Sequence, residues 1–206
     1  MARPRYGPQA RSALFQALTG RAGADVSGAP TADLRGMLLA AFGPSPRDPT
    51  RPNTALAAQR LGITQRTVQR YLAAEGRERI GRPRPDILRR ISTAARQAAS
   101  TQRGRAAAVR DVRDSGLPRR GMSLTIRGLQ GPDPDYQRRR TVTMNLDPDH
   151  AGAFIDAYVA HGENGALGYL ADNADNADNA EHVYQIESWH FADVTDVDLG
   201  GPYGAD

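Results

Sequence analysis

The chain contains neither cysteine nor lysine, a single tryptophan, and aromatic residues at only 6% of its 206 positions. Without cysteine it has no disulfide framework and no thiolate metal site. No run approaches the roughly 18 apolar residues that a bilayer span requires. The opening "MARPRYGPQARSALFQALTGRAG" lacks the apolar centre of a secretory signal, so a cytoplasmic protein with no membrane partner is expected. The absence of lysine beside abundant Ala, Gly and Pro fits GC-rich coding bias. Arginine alone is therefore weak evidence for guanine recognition.

What survives that bias is where the charge sits. Residues 1–140 hold all 27 arginines and 10 acids, a net of +17, whereas residues 141–206 hold 13 acids and no arginine, a net of −13. Coding bias acts on both parts alike, so the first is expected to seek a polyanion and the second to avoid one and meet a protein instead.

Punctuation divides the chain further. Residues 1–30 are basic and rich in Gly and Pro with one short apolar patch, "ALFQAL", and read as a flexible arm with a short helix at most. "TADLRGMLLAAF" predicts a helix capped by Thr31, with Leu34, Met37, Leu38, Ala41 and Phe42 on one stripe. "GPSPRDPTRP" carries four prolines in ten residues and reads as a break. A helix is expected from about 86 to 112. Beyond Met122, "MSLTIRGL" and "RRTVTMNLDP" read as strands around the turn-rich "QGPDPDYQ". "DPDHAGAFIDAYVAHG" reads as a helix opened by Asp147 and closed by Gly162, and "HVYQIESWHFADVTDVDL" as one or two strands. The expected fold is α+β: an all-α helix-turn-helix region over 31–118, then a small acidic α+β domain over 119–206.

The densest signal is "TALAAQRLGITQRTVQRYLAAEG". With Thr54 as the first position of a helix-turn-helix, Ala57 and Ala58 fall where two helices must approach closely. Leu61 then seals the first helix and Gly62 takes the left-handed turn. Ile63, Val68 and Tyr71 close the core, and Thr64 caps the second helix. Its outward face is Gln65, Arg66, Gln69 and Arg70, with Thr67 beside them. These types reach base edges from the major groove: arginine forks onto guanine N7 and O6, and glutamine pairs with adenine N6 and N7. Downstream, Arg77, Arg79, Arg82, Arg84, Arg89, Arg90, Arg96 and Arg103, then Arg105, Arg110 and Arg113, suit phosphate contact.

Intrinsic catalysis is not expected, nor is any cofactor or metal. His182, Glu187, His190 and Asp193 fall on alternate faces of a strand pattern, which does not assemble a ligand set. "ADNADNADNA" repeats every three residues, unlike the alternate-residue spacing of a calcium loop, and reads as a polar low-complexity insertion.

"ITQRTVQRYL" followed by "GRPRPDILRRI", a basic helix, "RRTVTMNLDPDHAGAFIDAY" and the acidic "HFADVTDVDLG" resembles the telomere-associated terminal proteins of linear Streptomyces chromosomes and plasmids. The resemblance spans residues 50–200 and is most specific at the two-helix motif with its Arg-Pro-Arg-Pro-Asp extension. It implies a protein covalently joined to the 5′ ends of linear DNA. Such a protein primes terminal synthesis together with a telomere-binding protein and a DNA polymerase, and is associated with the nucleoid. It also implies that the priming hydroxyl belongs to a threonine just ahead of "TVTMNL". Here that segment, "RGLQGPDPDYQRRR", has no Thr or Ser, so either the acceptor has moved, with Tyr136, Thr125 and Thr141 as the candidates, or the chain is a non-priming relative. A helix-turn-helix transcriptional or plasmid-replication regulator, a basic architectural protein, and pairing of the acidic region with a second copy remain open alternatives.

Overall fold

The computed structural model describes residues 6–29, 33–73, 80–173 and 189–200. The chain is mixed α and β, with small sheets, and divides into two compact units. One comprises Arg21–Gly104; the other joins Met1–Gly20 to Arg105–Asp206. Neither boundary is the expected one. The arm predicted over 1–30 is instead largely built in: α1 (Pro8–Thr19) buries Leu14, Phe15 and Leu18 completely. Three large apolar residues at i, i+1 and i+4 form a stripe that water would penalise. Leu14 and Leu18 pack in the unit formed by the C-terminal half of the chain.

The Arg21–Gly104 unit begins with α2 (Leu34–Phe42). Its cap is Asp33, whose carboxylate accepts from the Arg35 and Gly36 amides at 3.0 Å, rather than Thr31, which lies outside the described residues. The predicted break at "GPSPRDPTRP" is a two-stranded antiparallel ribbon, β1 (Pro44–Ser45) and β2 (Asp48–Pro52), so this unit is not all-α. Both strands of a two-stranded ribbon are edges, where a missing proline N–H costs no ladder bond. Helices α3 (Thr54–Leu61) and α4 (Gln65–Tyr71) follow, joined through Gly62 at φ +65°. Ala57, Ala58, Leu61, Val68 and Tyr71 are buried, as their spacing predicts, and Ile63 is half-buried.

The single helix expected over 86–112 is three: α5 (Pro85–Ser100), α6 (Gln102–Ala108) and α7 (Arg110–Asp114). Thr101 adopts an extended conformation, donates its hydroxyl to the Gln97 carbonyl at 2.8 Å and accepts from the Gly104 amide at 3.0 Å. A Cβ on Gly104 would lie 2.1 Å from the Gln97 oxygen, so only glycine permits this tight corner.

In the other unit, β3 (Met122–Gly131) pairs antiparallel with both β4 (Arg138–Leu146) and β5 (His190–Leu199), in sheet order β4-β3-β5. Met122, Leu124 and Ile126 alternate inward onto α8 (Pro148–His161) and its neighbours, while Thr125 and Arg127 face outward. Asp147 caps α8, accepting from the His150 amide at 2.8 Å. A further helix not foreseen, α9 (Glu163–Asp172), starts directly after Gly162 and buries Ala166, Leu167 and Leu170.

Arg105 and Gln130 are among the buried polar residues of this unit. Arg105 donates from Nε to the Val159 carbonyl at 3.0 Å and from Nη2 to that of Ala160 at 2.9 Å, closing the C-terminal end of α8. Gln130 donates to the Ile126 and Arg140 carbonyls at 2.9 and 3.1 Å and accepts the Trp189 indole N–H at 3.1 Å. Both therefore meet the requirement that buried polar atoms be paired. Among the described residues no helix is long and apolar enough to cross a membrane.

Candidate nucleic-acid interface

Redrawing the units leaves the charge asymmetry in place. Arg21–Gly104 holds 15 arginines against 6 acids, a net of +9; the other unit holds 12 arginines against 17 acids, a net of −5.

The exposed side of α4 is set by its cap and its buried residues. Thr64 accepts from the Thr67 amide at 3.2 Å and shares a 2.9 Å hydroxyl contact with the Thr67 side chain. Val68 and Tyr71 turn inward, which leaves Gln65, Arg66 and Gln69 exposed, with Thr67 and Arg70 half-buried. Gln65 is engaged within the protein, donating to the Thr54 hydroxyl at 3.0 Å. Gln69 has no such tie and projects from the helix centre.

These side chains do not stand on a bare helix. Gln65, Arg66, Gln69 and Arg70 form one wall of an open groove of about 1040 Å³, and the other wall includes Arg35 together with Arg47, Asp48 and Arg51 of the ribbon. The sequence reading missed that second wall. Its signal was present in "SPRDPTRP", where Asp48 precedes Thr50 at the Asx-turn spacing. Asp48 accepts from the Thr50 amide at 3.0 Å and the Thr50 hydroxyl at 2.6 Å, and its other oxygen lies 3.1 Å from Arg51 Nε. The Thr50 hydroxyl bond above all, then its amide and the nearby Arg51 and Arg35 charges, holds the Asp48 carboxyl below the usual carboxylate range.

The remaining predicted phosphate contacts divide. Arg89 and Arg96 are exposed, seven residues apart and on the side of α5 opposite Ile87, Ile91 and Ala95. Arg103 on α6 is exposed, as is Arg82; Arg84 is exposed and lies 3.4 Å from Asp86. Arg90 turns instead to the end of α3, donating to the Leu61 and Arg60 carbonyls. Arg105 is buried in the core of the other unit, and Arg113 pairs with Asp156. Arg77 and Arg79 lie outside the described residues, as do His182, Glu187 and nearly all of the ADN repeat. Among the described residues no group of three or more His, Asp or Glu is placed to hold a metal ion.

Of the acceptor candidates, Tyr136 is 64% exposed. Its segment is not the irregular coil expected but a short 3-10 turn, Pro134–Tyr136. The Tyr136 carbonyl accepts from Arg140 Nη2 at 3.3 Å, and a Cβ on Gly131 would come within 2.6 Å of that same oxygen. Arg140 also lies over the Trp189 ring at 5.6 Å, which ties the turn to the core. Thr125 and Thr141 are in β3 and β4, as their surroundings predict; the Thr125 hydroxyl sits 3.0 Å from that of Thr143, and Thr141 pairs in register with Arg127.

No protein-family model matches the chain, and no curated protein or solved structure is significantly similar to it.

Proposed function

We propose that this chain is a DNA-binding protein whose Arg21–Gly104 unit reads a duplex with the exposed face of α4, in the manner of a helix-turn-helix. The observation that carries the reading is the clustering of Gln69 with Arg66 and Arg70 on the wall of a basic groove, directly after a Gly62 turn about which Leu61, Val68 and Tyr71 are buried. A helix so placed offers both base-reading amide groups and phosphate-seeking guanidinia. Selection of bound duplexes from a random library, followed by fluorescence anisotropy on the enriched and scrambled sequences, tests it. An enriched sequence bound at least tenfold more tightly than its scrambled form supports the reading, and equal binding overturns it.

A second reading gives that binding a purpose. On the resemblance to terminal proteins, we propose a protein primer that caps the ends of a linear replicon, with a DNA polymerase and a telomere-binding protein as partners. The observation in its favour is Tyr136, the one large apolar or aromatic side chain exposed among the described residues, standing on a braced turn. In priming, the Tyr136 oxygen attacks the α-phosphorus of a deoxynucleoside triphosphate, a P–O bond forms, pyrophosphate leaves and the phenol proton passes to solvent. The polymerase supplies the metal ions, so this chain supplies a nucleophile and no catalysis of its own. Transfer of a labelled nucleotide to the protein, in the presence of polymerase and terminal template, tests this reading. Sequence-selective binding without labelling would leave a transcriptional or replication regulator.

A further inference from the structure

The ribbon opposite α4 has no part in the two-helix motif, yet it brings two arginines, Arg47 and Arg51, to the same groove. We infer that β1–β2 is a phosphate clamp, with Arg47 and Arg51 gripping the backbone of the duplex whose bases α4 reads. The inference rests on the reading of α4 as a duplex-reading helix and deepens it.

Position comes first. The ribbon leaves the chain at the end of α2 and returns at the start of α3. It is closed at its base by the Asn53 amide donating to the Gly43 carbonyl at 2.9 Å, while Asn53 itself caps α3. Arg35 Nη2 reaches from α2 to the Thr50 carbonyl at 2.6 Å. Pro44 and Pro52 face one another across the ladder, and Pro46 and Pro49 fix φ near the tip. A ribbon pinned at its base and along one strand holds its arginines at a set place relative to α4. Less conformational freedom is then lost when a ligand arrives.

Chemistry comes second. The side chain of Arg51 is 77% exposed, and its ion pair with Asp48 runs through Nε. That pairing leaves the terminal guanidinium nitrogens to an outside acceptor, and a phosphate oxygen suits that fork. Arg47, at the tip, is exposed with its backbone amide held by the Ser45 hydroxyl at 3.4 Å. The two arginines are four positions apart, at most about 13 Å at roughly 3.3 Å per residue. A span of that order lets the two guanidinia meet separate phosphates, which recur at about 3.4 Å of rise along each strand. Asp48, the acid in the groove, is engaged by Thr50 and Arg51 and so presents little naked negative charge to the backbone.

The test uses the full chain and a fluorescent mixed-sequence duplex of about three helical turns, titrated over a range of salt. Arg47→Ala and Arg51→Ala are each expected to weaken binding about tenfold at low salt. Each is also expected to reduce the slope of log K against log salt by about 0.9, by the same amount on enriched and scrambled sequences. Arg51→Lys should recover most of the slope, since the charge returns without the fork. Both arginines are exposed, so melting temperatures within experimental error of the parent are expected, and a variant that melts early is replaced by Arg→Gln at the same position. A parent chain that binds no duplex would sink the reading of α4. A parent that binds while both ribbon variants keep its affinity and slope overturns the clamp alone. Tighter binding of a single strand of the same sequence would also overturn the clamp.

Discussion

Arg90 reaches from α5 to the C-terminal end of α3, where its Nη1 donates to the Leu61 carbonyl at 2.7 Å and its Nη2 to that of Arg60 at 3.0 Å. The last carbonyls of a helix lack intrahelical donors, and a guanidinium there both pairs them and meets the negative end of the dipole. Arg90→Ala is expected to destabilise the Arg21–Gly104 unit by about 1 kcal/mol, discounted for its exposure. Arg89→Ala, one residue away, should leave stability unchanged and instead reduce the salt slope of DNA binding by about 0.9. Chemical denaturation and anisotropy on the same two proteins separate the roles.

Specificity should follow a similar division. Alanine at Arg66, Gln69 or Arg70 is expected to reduce preference for an enriched duplex over a scrambled one, by about 1–3 kcal/mol where a bidentate base contact is lost. Alanine at Arg96 or Arg103 should weaken both duplexes alike. Gln65→Ala is expected to matter less than Gln69→Ala, because Gln65 already donates to Thr54. An equal loss on both duplexes from Gln69→Ala and Arg66→Ala would count against α4 as the reading helix.

The turn at Gly62 was legible because a left-handed residue between two small-and-apolar runs leaves few alternatives, and φ is +65° there. No atom lies within 4 Å of an added Cβ, so the cost of Gly62→Ala is the backbone conformation alone, about 1–2 kcal/mol. Gly28 adds a steric term, since at φ +65° its Cβ would also come within 2.9 Å of the Ser92 carbonyl oxygen. Gly28→Ala is therefore expected to lower the melting temperature more than Gly62→Ala.

The strands around Met122–Leu146, the Asp147 cap and the extent of α8 were legible for a related reason: each is written in local sequence. The ribbon was not, because proline counts against a strand only where both sides must pair. The interruption at Thr101 was equally hidden, since Ala-rich sequence on both sides continues the helical pattern. What breaks it is a hydroxyl taking the Gln97 carbonyl and the Gly104 amide in turn. The fate of α1 could not be read locally at all. "ALFQAL" reports an apolar stripe, but its partner β5 lies some 170 residues away.

Arg105→Met keeps the length of the stem and removes the fork that closes α8. With the Val159 and Ala160 carbonyls left without these donors, a loss of about 2–4 kcal/mol is expected, seen as a lower denaturation midpoint for the sheet-bearing unit.

Tyr169 gives that unit an alkaline limit. Burial, then the nearby Asp147 charge, raises the pKa of its phenol, which lies 2.6 Å from His150 Nδ1. An unfolded tyrosine ionises near pH ~10, whereas the folded one keeps its proton to higher pH. The contribution is full below about pH 10 and is lost as pH rises through the folded value. Tyr169→Phe is expected to flatten the fall in stability above pH ~10, measured as denaturation midpoint against pH.

If the chain primes, Tyr136→Phe should abolish nucleotide labelling while leaving DNA affinity unchanged, because it removes only the nucleophilic oxygen. Full labelling of that variant, together with loss in Thr125→Val or Thr141→Val, would move the role to a threonine.

The placement of α1 sets an order on synthesis. Residues 21–104 can complete their unit as soon as they emerge, but Leu14 and Leu18 must wait for β5 at residues 190–199. At roughly 5–20 residues per second that interval is about 10–40 s, during which the first helix made is the last to be buried. A ribosome stalled short of β5 would therefore display a finished Arg21–Gly104 unit with an unsheltered apolar tether ahead of it.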